Sequence, residues 1–226
     1  LSLVDRGFIY AIVNPRGEMA KGYQWYLDGK LDKKTNTFKD FVAAGQYLVD
    51  KGYTKRGHLI AQGGSAGGLL MGAVANMDPT LFGGIIAAVP FVDVLNTMSD
   101  ESLPLTPPEW PEWGNPLTDE AAYDTILAYS PYDNVGALQY PPMLITGGVT
   151  DPRVTYWEPS KWAAKLRHEA PGAGPYFLRI NLDSGHFGAS GRFEGLKEVA
   201  IEYAFALAAA GKIDSVELTP GAGAPE

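Results

Sequence analysis

Cysteine is absent from this chain of 226 residues. That excludes a disulfide framework and a thiolate metal site, and it fits a reducing, cytoplasmic setting. Long apolar runs are absent as well. None approaches the ~20 residues that a membrane-spanning helix needs, so no membrane association is expected. The first residues do not read as a signal peptide. Basic charge is in short supply: 18 Lys and Arg stand against 26 Asp and Glu, for a formal net charge of -8. This argues against nucleic acid as a partner and leaves room for cationic ligands. Neither the G-x-G-x-x-G fingerprint nor the P-loop lysine pattern occurs, and no cofactor or metal is expected. Histidine is scarce, with three in the whole chain, which narrows any search for a catalytic base.

Glycine, by contrast, is plentiful, and one cluster of it has a clear context. The run Leu59-Ile60-Ala61 has strand character, Gly63-Gly64-Ser65-Ala66-Gly67 follows, and a helix-forming run covers Leu69 to Asn76. The glycine cluster fits G-x-S-x-G, the nucleophile elbow, between a strand and a helix as the motif requires. A sharp strand-to-helix turn needs neighbours without Cβ, lifts the serine Oγ above the sheet and aims a helix N-terminus at the reacting atom. Ser65 is therefore the candidate nucleophile, and the Ala66 amide a candidate oxyanion donor.

Four more apolar runs read as strands: Gly7 to Val13, Gly84 to Val89, Met143 to Gly147 and Tyr176 to Ile180. Their continuous, β-branched character predicts strands buried on both faces of a parallel sheet. The stretch Glu18 to Thr35 reads as an ordered loop anchored by Tyr23, Trp25 and Tyr26. Thr37-Phe38-Lys39-Asp40 has capping-box form and opens a helix that Gly52 stops. Further helices are expected over Ala121–Leu127, Trp157–His168 and Phe193–Ala210. Residues 100–117 are crowded with proline and read as irregular. Strands alternating with helices predict an α/β fold, a mostly parallel sheet with helices on both faces, as one domain over residues 1–213. Residues 214–226 read as a loose C-terminal tail. The opening Leu1-Ser2-Leu3-Val4 reads as the middle of a longer polypeptide.

A serine nucleophile needs a base, and the base an orienting acid. In α/β-hydrolases these follow the serine in the order acid, then histidine, on loops after late strands. His58 precedes Ser65 and fails this order. His168 lies in a Lys- and Arg-rich helix. His186, in Asp183-Ser184-Gly185-His186, follows the last strand and is the expected base. Asp151, after the Met143 strand, is the favoured acid, and Asp183 on the histidine's own loop is its competitor.

Several of these segments together resemble a known family. Gly63-Gly64-Ser65-Ala66-Gly67-Gly68, Trp113-Gly114-Asn115-Pro116, Tyr129 to Val135, Asp151-Pro152-Arg153-Val154, Tyr156-Trp157-Glu158-Pro159 and Ser184-Gly185-His186 are similar to the catalytic domain of the oligopeptidase B branch of the prolyl oligopeptidase family. The likeness covers about residues 1–213. It implies an α/β-hydrolase fold and a serine endopeptidase that cuts short peptides after Arg or Lys. It also implies an upstream β-propeller that limits access by size, and an upstream tyrosine as the second oxyanion donor. Arg153 would position the peptide backbone. The family carries two carboxylates, two residues apart, for the basic side chain. Glu109 matches the first, Pro111 stands at the second, and Glu112 is offset by one. Arg16-Gly17-Glu18-Met19 also has fewer glycines than the family at that place. The alternatives are a related peptidase of other specificity and a general esterase of the same fold.

Overall fold

The computed structural model describes residues 2–191 and 193–213. In chain order its main elements are α1 (Tyr23–Leu27), α2 (Thr35–Asp50), β1 (Leu59–Gly64), α3 (Ala66–Met77), β2 (Phe82–Ala88), α4 (Val94–Met98), α5 (Thr106–Trp113), α6 (Glu120–Tyr129), β3 (Met143–Gly148), α7 (Trp157–Glu169), β4 (Tyr176–Asn181) and α8 (Glu194–Ala209). The strands form one parallel sheet in the order β1-β2-β3-β4. Each step between neighbours carries at least one helix, as parallel pairing demands.

Alternation along the strands explains why both faces are covered. Ile85, Ala87, Met143 and Ile145 turn to one face and join Leu69, Met71 and Val74 of α3 with Trp162 and Leu166 of α7. Ile86 and Leu144 turn to the other face and meet Phe205 and Ala206 of α8. Strands buried on both sides have no polar face to display, hence their continuous apolar runs.

Residues 7–13 depart from expectation. They form no strand, and Ile9, Tyr10 and Ile12 are exposed. Strand propensity becomes a strand only through a partner's hydrogen bonds, and this segment pairs with none of the described strands. The sheet thus has four strands among the described residues, not five.

Two other expectations also change. The capping box at Thr37 does not form, because α2 starts earlier, at Thr35. Instead the Thr37 hydroxyl donates to the Arg16 carbonyl, and the Asp40 carboxylate accepts from the Arg16 backbone N–H, Nε and Nη2. The two residues clamp the turn at Arg16-Gly17 rather than closing a helix end. Inside the stretches read as loop, Tyr23–Leu27 and Thr106–Trp113 are helical. Pro107 and Pro108 fall in the first turn of α5, where no N–H is required. Pro111 forfeits a single bond, the one its N–H would have made to the Pro107 carbonyl. The tail expected over residues 214–226 lies outside the described residues.

A buried carboxylate ties α7 to the segment after β2. Glu158 accepts from Val92 N–H and Asp93 N–H at 2.9 Å each and from the Thr97 hydroxyl at 2.8 Å. Burial nevertheless pushes its pKa up to about 7, against these three donors. A carboxyl raised in the folded state contributes stability that is complete below its ordinary pKa and is lost as pH rises through the folded value. Thermal unfolding of the wild type should therefore drop between about pH 5 and about pH 8 more steeply than that of Glu158→Gln, which cannot ionise. Parallel curves for the two proteins would contradict this.

Candidate active site

The turn after β1 is the most constrained backbone at the site. Ser65 has φ 58° and ψ -119°, a positive φ that side chains rarely adopt. Such strain costs about 1–3 kcal/mol and persists only where the surroundings fix it. Here they do. Ser65 N–H donates to the Ala88 carbonyl at 2.9 Å, and the Ser65 carbonyl accepts from Gly68, Leu69 and Phe91 N–H at 2.8, 3.1 and 3.1 Å. Two glycines are forced by the same geometry. A Cβ on Gly63 would lie 2.3 Å from the Gly67 carbonyl oxygen, and one on Gly68 would lie 2.5 Å from Pro90 Cα. Ala66 opens α3, so its N–H is among the first-turn donors with no partner inside the helix.

Register brings the other two groups to the same end of the sheet. Gly64 lies level with Ala88, Ala88 with Thr146, and Gly148 with Asn181. Ser65, Asp151 and His186 all follow these C-terminal strand ends. Val149 N–H donates to Asn181 and Thr150 N–H to Ser184, which laces the loop after β3 to the loop after β4. Asp151 and His186 then meet, with Nδ1 to Oδ2 at 2.7 Å. Both side chains are shielded, at 0% and 8% exposure. The other carboxylate oxygen, Oδ1, accepts from Arg153 and Val154 N–H at 2.8 and 3.0 Å. A carboxylate tied down in this way holds the proton on Nδ1 and leaves Nε2 free to accept one. Asp183 is exposed, and among the described residues its carboxylate makes no hydrogen bond to His186. His58 and His168 are both exposed, away from any such pair. Ser65 Oγ makes no hydrogen bond to His186 in this structure, a contact that substrate commonly tightens.

The histidine loop has a support that the sequence did not reveal. Glu198 of α8 accepts from Asn181 Nδ2 at 3.1 Å and from Ala189 N–H at 3.3 Å. A cavity of about 220 Å³ lies beside it, bounded by Val89, Ser184, His186, Phe187, Glu198 and Glu202 among others. In the sequence Glu198 is one more carboxylate on an amphipathic helix; its partners become visible only when the loop folds back.

The three residues expected to meet substrate differ in their surroundings. Glu109 is half-buried on α5, and its Oε2 accepts from Trp113 Nε1 at 2.7 Å. Glu112 is already committed: Oε2 accepts from the Tyr26 hydroxyl at 2.8 Å and Oε1 from Lys34 Nζ at 3.0 Å. Its geometry is that of an internal anchor for α5, not of a carboxylate waiting for a guanidinium. Arg153 is exposed, has no carboxylate partner among the described residues, and lies 5.9 Å from the Phe187 ring centroid. Among the described residues no group of three or more His, Cys, Asp or Glu side chains could hold a metal ion, and no helix is long and apolar enough to cross a membrane.

A strained serine at a helix start, with an aspartate–histidine pair on neighbouring loops, is suited to attack on a carbonyl followed by hydrolysis of the acyl-enzyme. Comparison with known proteins agrees with this geometry. The chain is 51% identical over 207 residues to Protease 2 of Moraxella lacunata, covering 92% of this chain and 30% of that protein. It is 50% identical over 207 residues to dipeptidyl aminopeptidase BI of Pseudoxanthomonas mexicana, covering 92% of this chain and 28% of the relative. Among solved structures, oligopeptidase B from Trypanosoma brucei with covalently bound antipain, in a closed form, is similar at a TM-score of 0.92 and 48% identity. That match covers 96% of this chain and 31% of the other. The chain thus spans less than a third of the length of these relatives. Its fold is that of the α/β-hydrolases. With the model of the prolyl oligopeptidase family matching residues 1–212, the chain belongs to that family.

Proposed function

We propose that this chain is the catalytic domain of a serine oligopeptidase that cuts short peptides after basic residues. The reading is carried by the Asp151–His186 pair, held at 2.7 Å on the edge of the sheet from which the strained Ser65 projects. His186 Nε2 takes the proton from Ser65 Oγ as that oxygen attacks the scissile carbonyl. Asp151 holds the ring in the required tautomer and stabilises the imidazolium. The Ala66 N–H faces the developing oxyanion. His186 returns the proton to the leaving amine, and water then repeats the cycle on the acyl-enzyme. The covalently bound antipain of the Trypanosoma brucei relative supports a covalent route.

Glu109 receives the guanidinium of the residue before the cut, and Arg153 positions the peptide backbone. The second oxyanion donor and a size-limiting β-propeller would come from sequence outside residues 1–226. A cytoplasmic site of action is proposed as well. A second reading, removal of dipeptides from a free N-terminus, draws support from the 50% identity to dipeptidyl aminopeptidase BI. Assaying the full-length protein on N-terminally blocked and free peptides with Arg, Lys or a neutral residue before the cut, beside a short-chain ester, separates these readings from a general esterase. Cleavage of blocked arginyl peptides favours the first.

Ser65→Ala should lower turnover about a millionfold while the protein still folds, as loss of the nucleophile does in other triad enzymes. Retained turnover of a few per cent would remove Ser65 from the mechanism. Asp151→Asn should cost on the order of ten-thousandfold through the wrong histidine tautomer, far more than Asp183→Asn; the reverse ranking would reassign the acid. Glu109→Gln should lower kcat/KM on arginyl substrates by about 2–4 kcal/mol and spare neutral ones by comparison. An equal loss on both would take Glu109 out of the specificity pocket.

A further inference from the structure

Lys34 is a lysine in an unusual place. It links a short 3-10 turn, Leu31–Lys33, to α2, and only 7% of it is exposed. A buried ammonium needs compensation. Lys34 receives it twice from α5: Nζ lies 3.0 Å from Glu112 Oε1 and 4.5 Å from the centroid of the Trp113 ring. Burial still pulls its pKa down, with Glu112 opposing that shift. The far side of Glu112 is closed by the Tyr26 hydroxyl, which in turn accepts from Lys30 Nζ at 2.9 Å.

Trp113 connects this buried cluster to the site. Its Nε1–H donates to Glu109 Oε2 at 2.7 Å, and its ring meets Phe91 edge-on at 5.4 Å. Phe91 N–H in turn donates to the Ser65 carbonyl at 3.1 Å. A free glutamate has three soft torsions and no fixed direction. Glu109 is fixed through one oxygen by an indole, and the indole is fixed by a cation over its ring and by a T-shaped contact with Phe91, whose N–H bonds the nucleophile's carbonyl.

We infer that Lys34 is a positioning residue for substrate specificity: its ammonium, seated between Glu112 and the Trp113 ring, sets the direction in which Glu109 presents its carboxylate. The inference rests on the proposed role of Glu109 as the acceptor of an arginyl side chain. It extends that role to a residue that touches neither substrate nor the reacting atoms. A merely structural lysine would act differently, since its loss would loosen α5 and weaken every substrate alike.

The test uses the full-length protein and matched peptide substrates carrying Arg or its uncharged isostere citrulline before the cut. Lys34→Met keeps the stem and removes the charge. It should raise KM for the arginyl substrate about tenfold, the scale of a partly buried cation–π contact, with kcat changed less than about twofold. The citrulline substrate should respond within about twofold. Lys34→Arg keeps a cation over the indole and should restore most of the arginyl preference. Lys34→Met with Glu112→Gln removes both charges, guards against a fold weakened by an unpaired, partly buried carboxylate, and should show the same loss of preference. Equal losses on both substrates, or full arginyl preference in the double variant, would overturn the inference. Glu109→Gln assayed in parallel separates the two levels. If it leaves the Arg-to-citrulline ratio intact, the reading of Glu109 fails and the role of Lys34 falls with it. If it collapses the ratio while Lys34→Met does not, only the inference about Lys34 fails.

Discussion

The site hangs from the backbone of Ser65. A positive φ on a residue with a side chain is unfavourable, and four backbone hydrogen bonds from three directions hold it: to Ala88 of β2, from Gly68 and Leu69 of α3, and from Phe91 beyond β2. These bonds bring α3 so close to β1 and to Pro90 beyond β2 that Gly63 and Gly68 cannot carry a Cβ. The same constraint aims the helix N-terminus at the reacting position. The strain is therefore coupled to function. Relaxing the turn would relieve the local strain at the cost of these four bonds, and would move Oγ away from the oxyanion position proposed at the Ala66 N–H.

The second constraint is sheet register. Parallel strands rise together, and their C-terminal ends gather the connecting loops on one side. Asp151 and His186 come from different loops, yet backbone bonds from Val149 and Thr150 knit those loops before the side chains meet. The imidazole is held from two sides: Asp151 fixes the ring, and Glu198 on α8 fixes the backbone that carries it. The base proposed here would have to shuttle one proton in each direction and would benefit from this rigidity, because small misplacement of the ring weakens both transfers.

Much of this was legible in the sequence, and the failures share a cause. β2, β3 and β4 could be read because burial on both faces leaves continuous apolar runs, and the elbow because close approach demands glycine. The meeting of Asp151 with His186 was anticipated from their order in the chain after Ser65. What escaped depends on partners far away in sequence. The run at residues 7–13 has strand composition but no described partner to pair with. Thr37 and Asp40 have the spacing of a capping box, yet Arg16 claims both. Proline-rich residues 106–113 form a helix because two prolines fall where no N–H is needed and the third sacrifices one bond. The Lys34–Glu112 pair joins positions 78 residues apart, and no local pattern announces it.

Under the proposed role of Glu109, specificity would turn on geometry more than on charge count. Against the carboxylate pair that the resemblance implies, Pro111 would leave one, and the proposed attraction between site and cation would be weaker for any basic side chain. A weaker field penalises Lys and Arg alike, but only Arg can recover part of the loss through direction. Its planar fork offers two parallel N–H donors to a carboxylate, whereas an ammonium is a point charge with no preferred plane. That gain exists only if the carboxylate plane is fixed before the substrate arrives. Trp113 Nε1 on one oxygen of Glu109 supplies such a fixture, donated from an indole that is itself buried. On that proposal a single well-aimed carboxylate would discriminate between the two cations more sharply than two that are loosely held, and Arg would be favoured over Lys through direction rather than charge.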